Sequence, residues 1–193
     1  MSDEPRPIPI NVRGQKVALG PFLREHVAVH WGWLQDPEIA VHGNGSFELR
    51  SLERGLDGFA NPTKTEMVFS IYALDDLTLI GETVLMEIDH RQGTAMFGIT
   101  IGRKEYWGQG YGTEATRLML DYGFRFLNLH NIMLITTSFN TRAQRAYAKA
   151  GFKEIGRRRD SLLVGGQRYD DIYMDCVATE FESPQPGWYA LPE

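Results

Sequence analysis

Two rhythms of apolar residues divide the chain. β-branched and aromatic residues crowd three runs, 67–74, 79–88 and 95–101, and from Ala115 to Phe126 the apolar spacing changes to three and four. The runs read as strands separated by Asp75-Asp76 and by His90-Arg-Gln-Gly93, a meander within one sheet. The second rhythm predicts a helix over 113–127 that buries Ala115, Leu118, Met119, Tyr122 and Phe126 on one face. Residues 132–135, Ile-Met-Leu-Ile, show no polar alternation and predict a strand covered on both sides. Strand, helix and strand in this order predict a right-handed crossover between parallel strands.

The flanks follow the same logic. Residues 16–19 predict a first strand, and 23–34 a helix that offers Phe22, Val27, Trp31 and Leu34 for burial. Asp36-Pro37 opens a short helix, and 47–59 predicts another, with Leu49, Leu52, Leu56 and Phe59 three or four apart and Asn61-Pro62 as its stop. Near the other end, Asn140 caps a helix running to Ala150 and Gly151 ends it. Residues 152–157 and 169–176 form a closing hairpin around Gly165-Gly166. Prolines 5, 7 and 9 mark a loose arm over 1–12; one domain is expected over 13–178, with 179–193 as a tail.

Between the third strand and the long helix stands Tyr106-Trp-Gly-Gln-Gly-Tyr-Gly-Thr113. Three alternate glycines let the backbone approach a ligand closely, and the following helix aims its unpaired N–H groups and positive dipole end at the same place. A pyrophosphate fits that arrangement. A dinucleotide fold does not: the spacing is Gly-x-Gly-x-Gly, and no acid stands near Leu127–Leu129, where a ribose-binding carboxylate would fall. No Gly-Lys-Ser/Thr follows, which excludes a Walker loop.

Composition narrows the partners. A chain of 193 residues with 42% hydrophobic content fits one domain with a sizeable core. A formal net charge of −5 and a pI of about 5.6 argue against nucleic acid and favour cationic substrates. The lone Cys176 excludes an internal disulfide. With no leader-like segment and no apolar run of membrane-spanning length, a cytoplasmic protein without a membrane partner is expected. His26, His30, His42, His90 and His130 lack metal-ligand spacing, so no metal is expected, and His26 and His30, on one helical face, read as capping or packing residues.

Several ordered motifs resemble the GNAT superfamily of acetyl-coenzyme A-dependent N-acetyltransferases, and within it the branch of ribosomal-protein alanine acetyltransferases. They are Glu105-Tyr-Trp-Gly-Gln-Gly-Tyr-Gly-Thr-Glu-Ala115, Asp121-Tyr-Gly-Phe124, Leu127-Asn-Leu-His130, Asn140-Thr-Arg-Ala-Gln-Arg-Ala-Tyr-Ala-Lys-Ala-Gly-Phe152 and Tyr169-Asp-Asp-Ile-Tyr-Met174. The resemblance covers most of 16–176. It implies an α/β (α+β) fold: a mixed, mostly antiparallel sheet of about seven strands, helices on both faces, and a splayed central parallel pair that admits acetyl-CoA. Trp107 stands where the family pattern has Gln or Arg, and Gln109 where a basic residue often helps hold phosphate.

The resemblance also implies roles. Main-chain groups of Ile99, Thr100 and Ile101 pair with pantetheine, a free amide near Ile99 receives the thioester oxyanion, and amides across Trp107, Gly108, Gln109, Gly110, Tyr111, Gly112 and Thr113 hold the pyrophosphate. Charge compensation falls to Arg103, Lys104 or Arg142. Tyr147 matches the tyrosine that faces sulfur, where a protonated phenol serves the departing thiolate; packing beside Phe152 is its other reading. Asn140 has two readings as well, helix cap and hydrogen bond to pantetheine. Of Glu82, Glu87 and Asp89, Glu82 is the preferred general base. Trp31, Trp33, Asp170 and Asp171 border the expected acceptor side. The implied reaction is direct acetyl transfer to a primary amine, either a protein N-terminus or a small amine such as a polyamine or amino-sugar, by a monomer or homodimer. A non-catalytic coenzyme A-binding sensor would keep the same loop.

Overall fold

The computed structural model describes residues 9–45, 47, 51–60 and 63–184. The first eight residues of the predicted arm, the tail from 185 onward, Leu49 and the Asn61-Pro62 stop lie outside the described residues. Eight strands form one sheet in the order β1-β2-β3-β4-β5-β6-β8-β7. They are β1 (Val12–Arg13), β2 (Val17–Pro21), β3 (Met67–Ala73), β4 (Leu79–Asp89), β5 (Thr94–Ile101), β6 (Asn131–Thr137), β7 (Lys153–Val164) and β8 (Gln167–Val177). About seven were expected; the additional one is the two-residue β1, which pairs Val12 with Leu19. Every neighbouring pair is antiparallel except β5 and β6.

Among the described residues, five α-helices cover the two faces: α1 (Arg24–Leu34), α2 (Pro37–Asn44), α3 (Leu52–Ala60), α4 (Tyr111–Arg125) and α5 (Thr141–Ala150). Alternation along the strands decides which face each helix meets. Leu19 lies opposite Ile71 and Leu85 opposite Phe97, and these side chains share one core with Leu118, Met119 and Leu120 of α4. Burial of each such side chain is worth roughly 1.5–3 kcal/mol, so packing rather than propensity holds α4 in place. The opposite face presents Ser70, Tyr72 and Glu82 to α1. There His26 does two jobs: its Nδ1 accepts from the Leu23 amide at 3.0 Å, capping α1, and also meets the Ser70 hydroxyl at 2.7 Å. Burial pushes its pKa down, with Glu25 opposing.

Several expectations need correction. Helix α4 begins at Tyr111, two residues early, because Gly110 takes the left-handed conformation at φ 93° and turns the chain into the helix from there. The helix stops at Arg125, which leaves Phe126 44% exposed and stacked on half-buried Tyr122. Strand β6 is not covered on both sides: Ile132 and Leu134 face the core, whereas Ile135 is 45% exposed. The closing hairpin is longer than read, 12 and 11 residues, since β7 and β8 pair beyond the sheet as far as Val164 and Gln167. No helix among the described residues is long and apolar enough to cross a membrane.

Candidate active site

The sheet opens where β5 and β6, its one parallel pair among the described residues, part. β5 and β6 pair through Thr94–Asn131, Ala95–Ile132 and Met96–Met133 and no further. Beyond Met96, β5 stays with β4 as far as Ile101, and β6 stays with β8 as far as Thr137. Each strand is therefore held by its outer neighbour while the inner edges separate. With five residues of β5 past the last pair, the opening is roughly 16 Å long.

The glycine loop and α4 stand at the mouth of this opening. The first intrahelical bond of α4 runs from the Glu114 amide to the Gly110 carbonyl at 3.0 Å. The amides of Tyr111, Gly112 and Thr113 therefore have no helical acceptor and are available to an anion. Gly108 and Gly110 have φ of 72° and 93°, and a Cβ on either would project into open space. Neither glycine is required by crowding; the left-handed backbone conformation requires them. The indole of Trp107 donates to the Ile101 carbonyl at 2.7 Å, buttressing the loop against the end of β5. Lys16 Nζ donates to the Gln109 carbonyl at 3.1 Å from the other side.

A cleft of about 310 Å³ runs from this loop to α5. It gathers Ile99, Thr100, Ile101, Trp107, Gly108, Gly110, Gly112, Thr113, Asn140, Arg142 and Tyr147. Gln109 and Tyr111 do not line it. The Gln109 side chain turns back to the Glu105 carbonyl, and the Tyr111 ring packs edge-on against Tyr106 at 5.0 Å. Of the three basic candidates, Lys104 is occupied by Asp36 at 2.7 Å and Glu38 at 2.6 Å, and Arg103 by the Leu79 carbonyl and Glu105. Arg142 lies in the cleft with its guanidinium 3.7 Å from the Trp107 ring centre, and burial lowers its pKa.

Asn140 is 5% exposed and uses both ends of its side chain. Its Oδ1 accepts from the Ala143 amide at 3.1 Å, the capping bond, and its Nδ2 donates to the His42 carbonyl at 2.9 Å, tying α2 to α5. Tyr147 lies two turns further along α5. Its ring meets Phe97 and Phe152 edge-on at 6.2 and 6.0 Å, and burial pushes its phenol up to about 12. The side chain is half-buried and packs against the core, and among the described residues its hydroxyl makes no hydrogen bond.

Residues 16–153 match the family described as acetyltransferase (GNAT) domain. The chain belongs to that family. An uncharacterized N-acetyltransferase, p20 of Bacillus licheniformis, is 34% identical over 164 residues, 83% of this chain and 91% of its own length. Spermidine N(1)-acetyltransferase of Escherichia coli strain K12 is 38% identical over 97 residues, 50% of this chain; the match spans about half, 51%, of that relative. Among solved structures, a spermidine N-acetyltransferase from Vibrio cholerae in complex with CoA and spermine superimposes with a TM-score of 0.77 over 86% of this chain and 98% of its own. At 24% identity this is a likeness of fold. The splayed sheet and the glycine loop are thus those of a GNAT domain.

Glu82 is not in the glycine-loop cleft. It stands opposite Thr100 across β4 and β5, and its carboxylate lies 2.7 Å from His30 Nε2 in a second cavity beneath α1 and α3. Glu87 is exposed, and Asp89 caps the following turn through the Arg91 and Gln92 amides. Asp170 is engaged by Arg157 and by the Asp160 amide, which turns it toward the hairpin. Trp31 lines the second cavity, whereas Trp33 packs against Gly102, where any Cβ would collide with its ring. Sequence reasoning missed Arg145 and Lys149, which line the cleft with Arg142. Their spacing of three and four along α5 was the available signal. It also missed His42, whose ring stands between Trp107 and Phe139 at 6.2 and 5.9 Å. Nothing in the sequence locates α2 across the opening. Among the described residues, no three His, Cys, Asp or Glu gather where they would hold a metal ion.

Proposed function

We propose that the protein transfers the acetyl group of acetyl-CoA to the primary amine of a small cationic acceptor, by direct attack within a ternary complex. The observation that carries this reading is the cleft itself, with helix amides free of helical acceptors at one end and the half-buried phenol of Tyr147 at the other. The amides of Tyr111, Gly112 and Thr113 and the loop from Gly108 to Gly110 take the pyrophosphate, with Arg142 supplying charge. Because the Ile101 carbonyl already serves Trp107, the β5 edge offers pantetheine the groups of Ile99 and Thr100. An amide on that edge near Ile99 receives the oxyanion as the amine nitrogen bonds to the thioester carbon.

When the carbon–sulfur bond breaks, the thiolate needs a hydrogen-bond donor, and Tyr147 provides it. A phenol at about 12 is a weaker acid than a thiol, whose usual pKa is about 8.5, so complete transfer from Tyr147 runs uphill. Its contribution is the hydrogen bond to developing charge, and the proton that finally rests on sulfur comes from the amine. A protonated acceptor has one further proton to lose, and Glu82, one strand from Thr100, is the carboxylate proposed to take it.

The small-amine reading is supported by the polyamine acetyltransferases among the similar proteins and by the acidic balance of the chain. A protein N-terminal amine is the second reading, supported by the resemblance of the loop and α5 motifs to the ribosomal-protein branch. Release of free coenzyme A from acetyl-CoA with a panel of amines and peptides, followed by mass spectrometry of the product, tests both. Binding of acetyl-CoA without release for any acceptor would leave a coenzyme A-binding domain instead of an enzyme.

A further inference from the structure

The second cavity, about 700 Å³, lies between α1, α3 and the face of β3 and β4 opposite the main core. Its floor is apolar, made by Val68, Val84 and Met86, and Trp31 and Phe59 stand among its walls. A carboxylate closes each end. Glu82 and Met86 are on one face of β4, and the register that pairs Met67 with Leu85 sets Glu66 beside Met86. Glu82 and Glu66 are therefore separated by four strand residues, roughly 13 Å. The Glu82 end adjoins Thr100, which lines the glycine-loop cleft, and the Glu66 end points away from it.

Resting on the acetyltransferase reading above, we infer that this cavity seats the acceptor and that Glu82 and Glu66 read a linear polyamine by the distance between its cationic nitrogens. One Glu82 oxygen is within 2.7 Å of His30 and the other remains for an ammonium group. The methylene chain lies on Val68 and Val84, and a second ammonium reaches Glu66, which is exposed and holds no ion pair among the described residues. The span suits a triamine better than a four-carbon diamine. Neither end selects for a particular side-chain shape, as a peptide acceptor would require. Arg54, exposed on α3 at the rim, opposes a cation and sets the outer limit of the seat.

The test compares spermidine, 1,4-diaminobutane and n-butylamine as acceptors for the native protein and for Glu66→Gln, with calorimetric titration of spermidine into the protein saturated with coenzyme A. The native protein is expected to prefer spermidine to n-butylamine at least tenfold in kcat/KM. Glu66→Gln should raise the spermidine KM and Kd about tenfold while leaving kcat and the n-butylamine rate within twofold. Arg54→Gln should lower the spermidine KM. An unchanged spermidine KM and Kd in Glu66→Gln, or equal kcat/KM for the monoamine and the triamine, would overturn the inference. If no amine is acetylated, the proposed function falls; calorimetry still decides the seat, since spermidine binding weakened by Glu66→Gln supports it and absent or unaffected binding refutes it.

Discussion

The stretch from β5 to α5 and the stretch from α1 to α3 build their sites by different means. In the first, consecutive elements bring backbone groups to one place: the freed edge of β5, the amides at the start of α4 and the capped start of α5 all belong to residues 94–150. In the second, side chains from separate segments converge. His26 reaches 44 residues on to Ser70, His30 meets Glu82, and Trp33 fills the space above Gly102. The lesson is that a site made of main chain leaves its mark as glycines and caps at fixed spacing, whereas a site made of convergent side chains leaves almost none.

The largest effect is expected of Tyr147→Phe, because Tyr147 is the side chain proposed to serve the departing thiolate in the main-chain half. It should lower kcat by about a hundredfold while acetyl-CoA binding by calorimetry stays within about threefold, since the ring contacts with Phe97 and Phe152 remain. Equal loss of both would reassign the residue to packing. Gly110→Val comes next. A φ of 93° is strained for valine and its side chain enters ligand space, so acetyl-CoA affinity should fall at least about tenfold. A folded variant, judged by circular dichroism, with native affinity would remove the loop from the cofactor site.

Asn140→Ala probes the seam between the two halves, because it removes both the cap of α5 and the bond to the His42 carbonyl. A loss of about 1–2 kcal/mol in urea unfolding is expected. A loss within error would show that α2 is held without it, by the ion pairs of Lys104 with Asp36 and Glu38.

The smallest effect is a pH dependence in the side-chain half. Burial lowers the native pKa of His26, so the unfolded chain binds the extra proton first as pH falls. The stability His26 contributes is complete above its unfolded value of about 6.5 and is lost as pH drops from there toward the lowered native value. Midpoints of urea unfolding measured across that window should decline for the native protein and decline less for His26→Asn. Parallel declines would assign the effect to other groups.

Residues 106–113 specified the turn into α4 because Gly108 and Gly110 adopt positive φ, a local property that glycine alone meets at little cost. Asn140 and Gly151 likewise announced the ends of α5, since a cap answers to the helix it closes. The splay could not be read off Ile132-Met-Leu-Ile135, whose unbroken apolar run suggested burial on both sides, because exposure of Ile135 depends on which helices cross β6. Glu82 was assigned to the right strand but not to its partner: pairing with His30 requires α1 to lie across β4, a contact between positions 52 residues apart. By itself the sequence determined the strand–loop–helix–strand core and the positive-φ glycines of its loop, which are local in origin. Only the tertiary structure decided the length of the opening, the basic lining and the two-carboxylate cavity, because those follow from distances between segments that no short-range pattern encodes.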